Sequence, residues 1–78
     1  MHIKTDIGDF ATYEALYWGM VETGKRVVNC DIEYKGSKFI IHDVSIKAAE
    51  ILKDKEYENR GLTDIQIKEI AGYEMVKP

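Results

Sequence analysis

The chain has 78 residues, of which 45% are hydrophobic and 32% charged, and its formal net charge at pH 7 is −3. This composition excludes a disordered chain and predicts one α+β domain over residues 1–78, although a domain so small buries only about 60% of its unfolded surface. Acidic and basic residues are interleaved, which disfavours nucleic-acid binding by bulk positive charge. The sequence has no apolar run of membrane-spanning length, no apolar signal region and one cysteine, so we expect a cytoplasmic protein with no membrane partner.

The first elements predicted along the chain are a strand and a helix. An edge strand is predicted over residues 1–7, where apolar and polar side chains alternate. A helix follows, with Asp9 as its N-cap, an end near Thr23 and a C-terminal stop at Gly24. Gly19 interrupts this helix, and it either allows another backbone to pack closely or is simply tolerated. The apolar stripe predicted for the helix consists of Phe10, Tyr13, Leu16, Tyr17, Met20 and Val21.

The clearest structural signal is a β-hairpin between Arg26 and Asp43. Two alternating runs flank Lys35-Gly36, a two-residue turn with glycine in second place. Since a one-residue slip would exchange the two faces of the hairpin, its register is well specified. The pairs predicted on the apolar face are Ile32 with Phe39 and Cys30 with Ile41, and those on the polar face are Glu33 with Lys38 and Asn29 with His42.

A second helix is predicted after the hairpin, with Asp43 or Ser45 as its N-cap and Gly61 as its stop. Residues 63–76 fit either a short helix or a strand, and we favour the strand because a lone hairpin is marginal in water. The narrow apolar face of the second helix consists of Val44, Ala48, Ile51 and Leu52. Residues expected off that face are Ile46 and the solvated Lys47, Glu50, Lys53, Asp54 and Glu56.

These elements predict the α+β class. Two helices pack on one face of a three- to four-stranded, mainly antiparallel sheet. The element order is α-β-β-α-β, or β-α-β-β-α-β if the N-terminal strand joins the sheet. The longer order resembles the ferredoxin-like split βαβ arrangement, as a pattern of elements.

No catalytic, cofactor or metal site is predicted. In the predicted hairpin Cys30 points to the core and His42 to the opposite face, so the two cannot easily share a metal ion. Cys30 also lies mid-strand, with no helix N-terminus to lower its pKa. The six glycines are scattered rather than gathered in a phosphate-binding loop. We therefore expect that the protein is not an enzyme.

Residues 35–42 partly resemble the RNP1 strand of RNA-recognition motifs. The positions that match the motif are Lys35, Gly36, Phe39 and Ile40. The positions that depart from it are Ser37 and His42, which replace aromatic residues, and Lys38, which replaces a small one. The resemblance implies RNA binding by the sheet face with Lys38, Ile40 and His42, but without the aromatic residues the base-stacking platform is incomplete.

Protein binding is favoured by Trp18, which lies off the apolar stripe of the first helix. Glu14 and Glu22 stand four residues before and after it, and an exposed tryptophan is a typical interface anchor. The alternative is that Trp18 completes a thin core against the hairpin or the C-terminal segment. The candidate partner-binding residues are Trp18, Glu14, Glu22, Asp31, Glu33, Lys38, Ile40 and His42.

The resulting functional hypothesis is a non-enzymatic protein-binding module. It would be a small acidic inhibitor or adaptor, of the kind encoded by phages or mobile elements, that blocks a host enzyme or nucleoprotein complex. An acidic face with Asp31 and Glu33 would compete with nucleic acid for a basic channel on the target. The alternatives are a small RNA-binding module and a homo-oligomeric structural protein, and the identity of the partner stays open.

Overall fold

Two hairpins and two helices make up the part of the chain that the computed structural model describes, residues 1–34 and 36–58. The bounds of the elements are β1 His2–Thr5, β2 Gly8–Phe10, α1 Tyr13–Thr23, β3 Val27–Tyr34, β4 Ser37–Ser45 and α2 Ile46–Glu58. Within these residues the sheet has four strands in the order β2-β1-β3-β4, and every neighbouring pair is antiparallel. The predicted α+β class, with two helices on one face of a mainly antiparallel sheet, is confirmed.

The N-terminal segment forms a hairpin instead of a single edge strand. β1 ends at Thr5, the chain turns at Asp6 and Ile7, and β2 returns beside β1. The Thr5 hydroxyl donates to the Gly8 carbonyl at 2.7 Å and accepts from the Ile7 amide at 3.1 Å, which stabilises this turn. The prediction of an edge position was wrong, because β1 lies between β2 and β3.

The presence of β2 changes how α1 begins. Asp9 and Phe10 belong to β2, so the predicted Asp9 cap and the place of Phe10 in the helical stripe were wrong. Thr12 is the N-cap instead, and its hydroxyl accepts from the Ala15 amide at 3.1 Å. The predicted end is confirmed, because Gly24 takes a left-handed conformation with φ of 73° and its amide donates to the Val21 carbonyl.

The predicted register of the β3–β4 hairpin is confirmed near its turn. Ile32 pairs with Phe39, Glu33 with Lys38, and Cys30 with Ile41. The predicted pair of Asn29 with His42 was wrong because the register shifts there: Val28 pairs with Val44, which leaves two residues of β4 opposite Asn29.

This irregularity in β4 is a β-bulge centred on Asp43. Asp43 has φ of 57°, and its amide donates to the Asn29 side-chain carbonyl at 2.9 Å. The extra residue reverses the alternation of side chains, so that Ile41 and Val44 are both buried. Val44 is therefore a strand residue, and its predicted place on the second helix was wrong.

Helix α2 begins directly after β4. Of the two predicted caps, Ser45 is the one used: its hydroxyl accepts from the Ala48 amide at 3.0 Å. Ile46, expected off the apolar face, is partly buried against the core. Glu56, expected to be solvated, accepts from the Tyr13 amide at 3.1 Å and lies 3.4 Å from the Glu14 amide. This carboxylate thus binds the N-terminus of α1, where the helix dipole favours negative charge.

The core lies between the two helices and the face of the sheet that they cover. Its buried residues are Ile3, Tyr13, Leu16, Met20, Val28, Cys30, Ile32, Phe39, Ile41, Val44, Ala48, Ala49 and Leu52. Within the described residues, no helix has both the length and the apolar character needed to cross a membrane. The predicted stop at Gly61 and the strand or helix over residues 63–76 lie outside the described residues.

Candidate functional site

The structure divides the predicted partner-binding residues between two surfaces. Glu14, Trp18 and Glu22 lie on α1. The remaining candidates, Asp31, Glu33, Lys38, Ile40 and His42, lie on β3 and β4 and are exposed. These strands bury the alternate residues Cys30, Ile32, Phe39 and Ile41 under the helices. The second group therefore occupies the opposite face of the sheet, and one flat partner surface would not contact both groups.

Trp18 is exposed on the side of α1 that points away from the core. Half of its side chain is accessible to solvent, whereas Leu16 and Met20 on the same helix are completely buried. Trp18 therefore does not complete a core against the hairpin. The alternative contact with the C-terminal segment lies outside the described residues. At 100° per residue, Trp18 is about half a turn away from the direction of Leu16 and Met20, which explains why it stays outside.

The indole of Trp18 packs against its neighbour Tyr17. The two ring centroids are 5.1 Å apart and the ring planes meet at 75°, an edge-to-face arrangement that aromatic pairs favour. The Tyr17 hydroxyl in turn donates to Glu50 at 3.3 Å, and the Lys53 ammonium lies 5.1 Å from the Tyr17 ring centroid. Tyr17 therefore contacts both the exposed indole and α2.

Val21 extends this apolar surface by one helical turn. The sequence pattern placed it in the apolar stripe of the helix, but 42% of it is exposed, so it lies outside the buried part of that stripe. Tyr17, also placed in the stripe, is only partly buried. We define the Trp18 patch as Tyr17, Trp18 and Val21 together with the flanking Glu14 and Glu22.

The exposed face of the sheet has a different character, because its charges alternate in sign across the strands. Lys4 on β1 lies between Asp9 on β2 and Asp31 on β3. The Lys38 ammonium is 3.5 Å from the Glu33 carboxylate, and His2 is 3.3 Å from Asp9. The predicted acidic residues Asp31 and Glu33 are therefore each beside a base, which weakens the field that they project.

Two apolar side chains interrupt this charged face. Ile40 is 60% exposed and pairs with Asp31 across the strands, and Val27 at the start of β3 is 43% exposed. His42 is exposed beside the bulge, and Lys38 lies near the hairpin turn. Among the described residues no aromatic ring of Phe, Tyr or Trp lies on this face, since Phe39 is buried on the other side.

Cys30, the only cysteine of the chain, is buried beneath the helices. Burial raises the pKa of its thiol to about 12, with a smaller contribution from the negative charge of Asp6. A thiol with this pKa stays protonated at neutral pH and is a poor nucleophile. Within residues 1–34 and 36–58, no three His, Cys, Asp or Glu side chains are grouped so as to hold a metal ion.

Comparison of the chain with protein-family models, with curated proteins and with solved structures finds no match. The geometry of the described residues shows that the molecule is a small α+β domain. Its most distinctive surface is an exposed aromatic helix face, the Trp18 patch.

Proposed function

We propose that this chain is a non-enzymatic protein-binding module and that the Trp18 patch is its contact surface. The observation that carries the proposal is the half-exposed indole of Trp18. Leaving so large an apolar side chain in water forgoes the free energy of its burial. Tryptophan and tyrosine are also the residues most enriched among those that dominate binding energy at protein interfaces.

The support of the patch makes it a suitable anchor. α1 is capped at both ends and buries Tyr13, Leu16 and Met20. The indole packs edge-to-face against Tyr17, whose hydroxyl donates to Glu50 on α2. A side chain that is already ordered loses little conformational entropy when a partner covers it. The patch therefore combines a large apolar area with a low ordering cost.

The particular role that we propose is that of a small acidic inhibitor or adaptor, of phage or mobile-element accessory type, acting in the cytoplasm. It would cover a site on a host enzyme or nucleoprotein complex. The net charge of −3 supports a target with a basic surface. Because Glu33 lies 3.5 Å from the Lys38 ammonium and Asp31 stands opposite Lys4 in the sheet, we assign the acidic part of the contact first to Glu14 and Glu22.

Affinity capture from the native host with a matched pair of variants tests this proposal. Trp18→Ala and Ile40→Ala each remove one exposed apolar side chain, from the helix and from the sheet face respectively. We expect wild type and Ile40→Ala to capture the same protein and Trp18→Ala to fail to capture it. The affinity of Trp18→Ala for that protein should be roughly thirtyfold lower, as is typical when a dominant interface tryptophan is removed. Equal retention by Trp18→Ala would rule out the Trp18 patch as the contact surface.

The RNA-binding alternative is tested in the same experiment. Lys38, Ile40 and His42 do lie exposed on one strand, but this face has no aromatic platform within the described residues. Captured material that is released by nuclease and is absent with Lys38→Glu would favour RNA binding.

The homo-oligomer alternative needs a contact between copies, and the exposed Ile40 and Val27 offer an apolar one. A native mass that rises with protein concentration in wild type but not in Ile40→Ala would support this alternative.

A further inference from the structure

We propose that the Trp18 patch recognises an arginine side chain in a basic segment of the partner protein, an inference that rests on the proposed function and specifies the chemistry of the partner. The guanidinium would stack on the exposed indole while the carboxylates of Glu14 and Glu22 receive its N–H groups. Arginine combines a planar cation that stacks on aromatic rings with a fork of donors that matches carboxylates.

The first argument is the charge of the helix. The residues of α1 include two acids, Glu14 and Glu22, and no lysine, arginine or histidine. Each acid is four residues from Trp18, so both lie next to it on the helix surface. Both are exposed, and neither forms an ion pair within the described residues. On the sheet face, by contrast, Glu33 is paired with Lys38 at 3.5 Å.

The second argument is that the neighbouring ring already takes part in this kind of contact. The Lys53 ammonium lies 5.1 Å from the centroid of Tyr17 and 3.0 Å from a carboxylate oxygen of Asp54. A cation here is placed both over an aromatic ring and beside an acid. The Trp18 indole, with a larger π surface, has acids on both flanks and no cation over it within the described residues. A partner's arginine would complete at Trp18 the arrangement that Lys53 completes at Tyr17.

The test uses the indole N–H signal of Trp18, which is unambiguous because the chain has one tryptophan. The probe is a short acetylated and amidated peptide of alternating arginine and glycine, added to the full chain during nitrogen-15 NMR. The matched peptide carries citrulline, an uncharged isostere, in place of arginine. We expect a saturable shift of the indole signal, with the arginine peptide binding at least about fivefold more tightly.

Two double variants separate local recognition from net charge. Glu14→Gln/Glu22→Gln and Asp31→Asn/Glu33→Gln each remove two negative charges from exposed positions, on the helix and on the sheet face respectively. We expect the helix variant to lose most of the preference for arginine over citrulline, and the sheet variant to keep it. Trp18→Leu, followed by backbone signals of α1, should lose the preference while retaining an apolar side chain.

The inference is overturned if the arginine peptide gives no saturable shift, if citrulline binds equally well, or if both double variants lose the preference to the same extent. If affinity capture still yields a protein whose binding depends on Trp18, the proposed function is retained and the partner is recognised by other chemistry. If the arginine peptide binds specifically but affinity capture yields no protein whose binding depends on Trp18, the result supports the recognition chemistry and counts against the proposed function.

Discussion

At the scale of single residues, the least expected group is the hydroxyl of Tyr13. This side chain begins α1 and is buried, and its oxygen has no hydrogen-bond partner within the described residues. Burial raises the pKa of this phenol, with smaller contributions from nearby ionisable groups. A buried hydroxyl without a partner has lost its hydrogen bonds to water and forms no hydrogen bond in the folded protein that compensates for this loss.

Removing this hydroxyl should therefore not destabilise the protein. For Tyr13→Phe we expect a free energy of unfolding that is unchanged or higher by about 1 kcal/mol, since the desolvation cost disappears while the ring stays packed. Urea denaturation followed by circular dichroism measures it. Tyr13→Ala is the control, and it should lose about 3 to 5 kcal/mol through the cavity that it leaves. A loss of more than about 1 kcal/mol in Tyr13→Phe would mean that the hydroxyl does have a partner.

At the scale of elements, Gly19 leaves room on α1 for the ring of Phe10 from β2. A Cβ at this position would lie 2.7 Å from Cζ and 2.8 Å from Cε1 of the Phe10 ring. The sequence left two explanations for Gly19: another backbone packs closely against it, or a glycine is simply tolerated there. The structure shows that its close neighbour is an aromatic side chain. The contact explains why a residue with poor helix propensity occupies the interior of α1.

A double-mutant cycle tests this contact. Gly19→Ala gains about 1 kcal/mol of helix propensity, but in the wild-type background we expect the clash with Phe10 to cancel or reverse that gain. In a Phe10→Ala background the space is free, and the same change should stabilise the protein by about 1 kcal/mol. Unfolding free energies of the four variants measure the coupling. An equal gain in both backgrounds would show that Phe10 does not limit the approach.

At the scale of the whole molecule, Asp6 connects the first hairpin to the second. Its carboxylate accepts from the Asn29 amide on β3 at 3.0 Å and lies 3.6 Å from the Lys25 ammonium. The hydrogen bond from Asn29 is the main reason that the pKa of Asp6 lies below its usual value of 3.8, followed by a bond from its own backbone amide and by Lys25. Because the lowered pKa belongs to the folded state, the charged carboxylate stabilises the fold.

This contribution should disappear in acid. It is fully present above the pKa of Asp6 in the unfolded chain, near 3.8, and is lost as the pH falls through the lower pKa of the folded state. We expect Asp6→Ala to be less stable than wild type at pH 6 and the difference to shrink toward pH 2. Thermal unfolding across this range measures it. Asp6→Asn keeps an acceptor for Asn29 without the charge, so its stability difference from Asp6→Ala should not depend on pH.

The sequence by itself determined the elements whose signals are local and repeated. The β3–β4 pairs of Ile32 with Phe39 and Cys30 with Ile41 follow from alternation, and the end of α1 at Gly24 follows from backbone geometry that glycine adopts at low cost. The α+β class followed from the same patterns. Glu14, Trp18 and Glu22 were also recognisable as neighbours, because helical spacing alone places them together.

Only the tertiary structure decided the features that depend on distant contacts. β2 has three residues, too few to show a periodicity, and it exists through its pairing with β1. At the bulge, the Asp43 amide donates to the side chain of Asn29, fourteen residues away in the chain. The exposure of Trp18 likewise depended on what α2 and the sheet cover. The physical reason is that periodicity specifies which side chains share a face, whereas burial of that face depends on surfaces supplied by the rest of the chain.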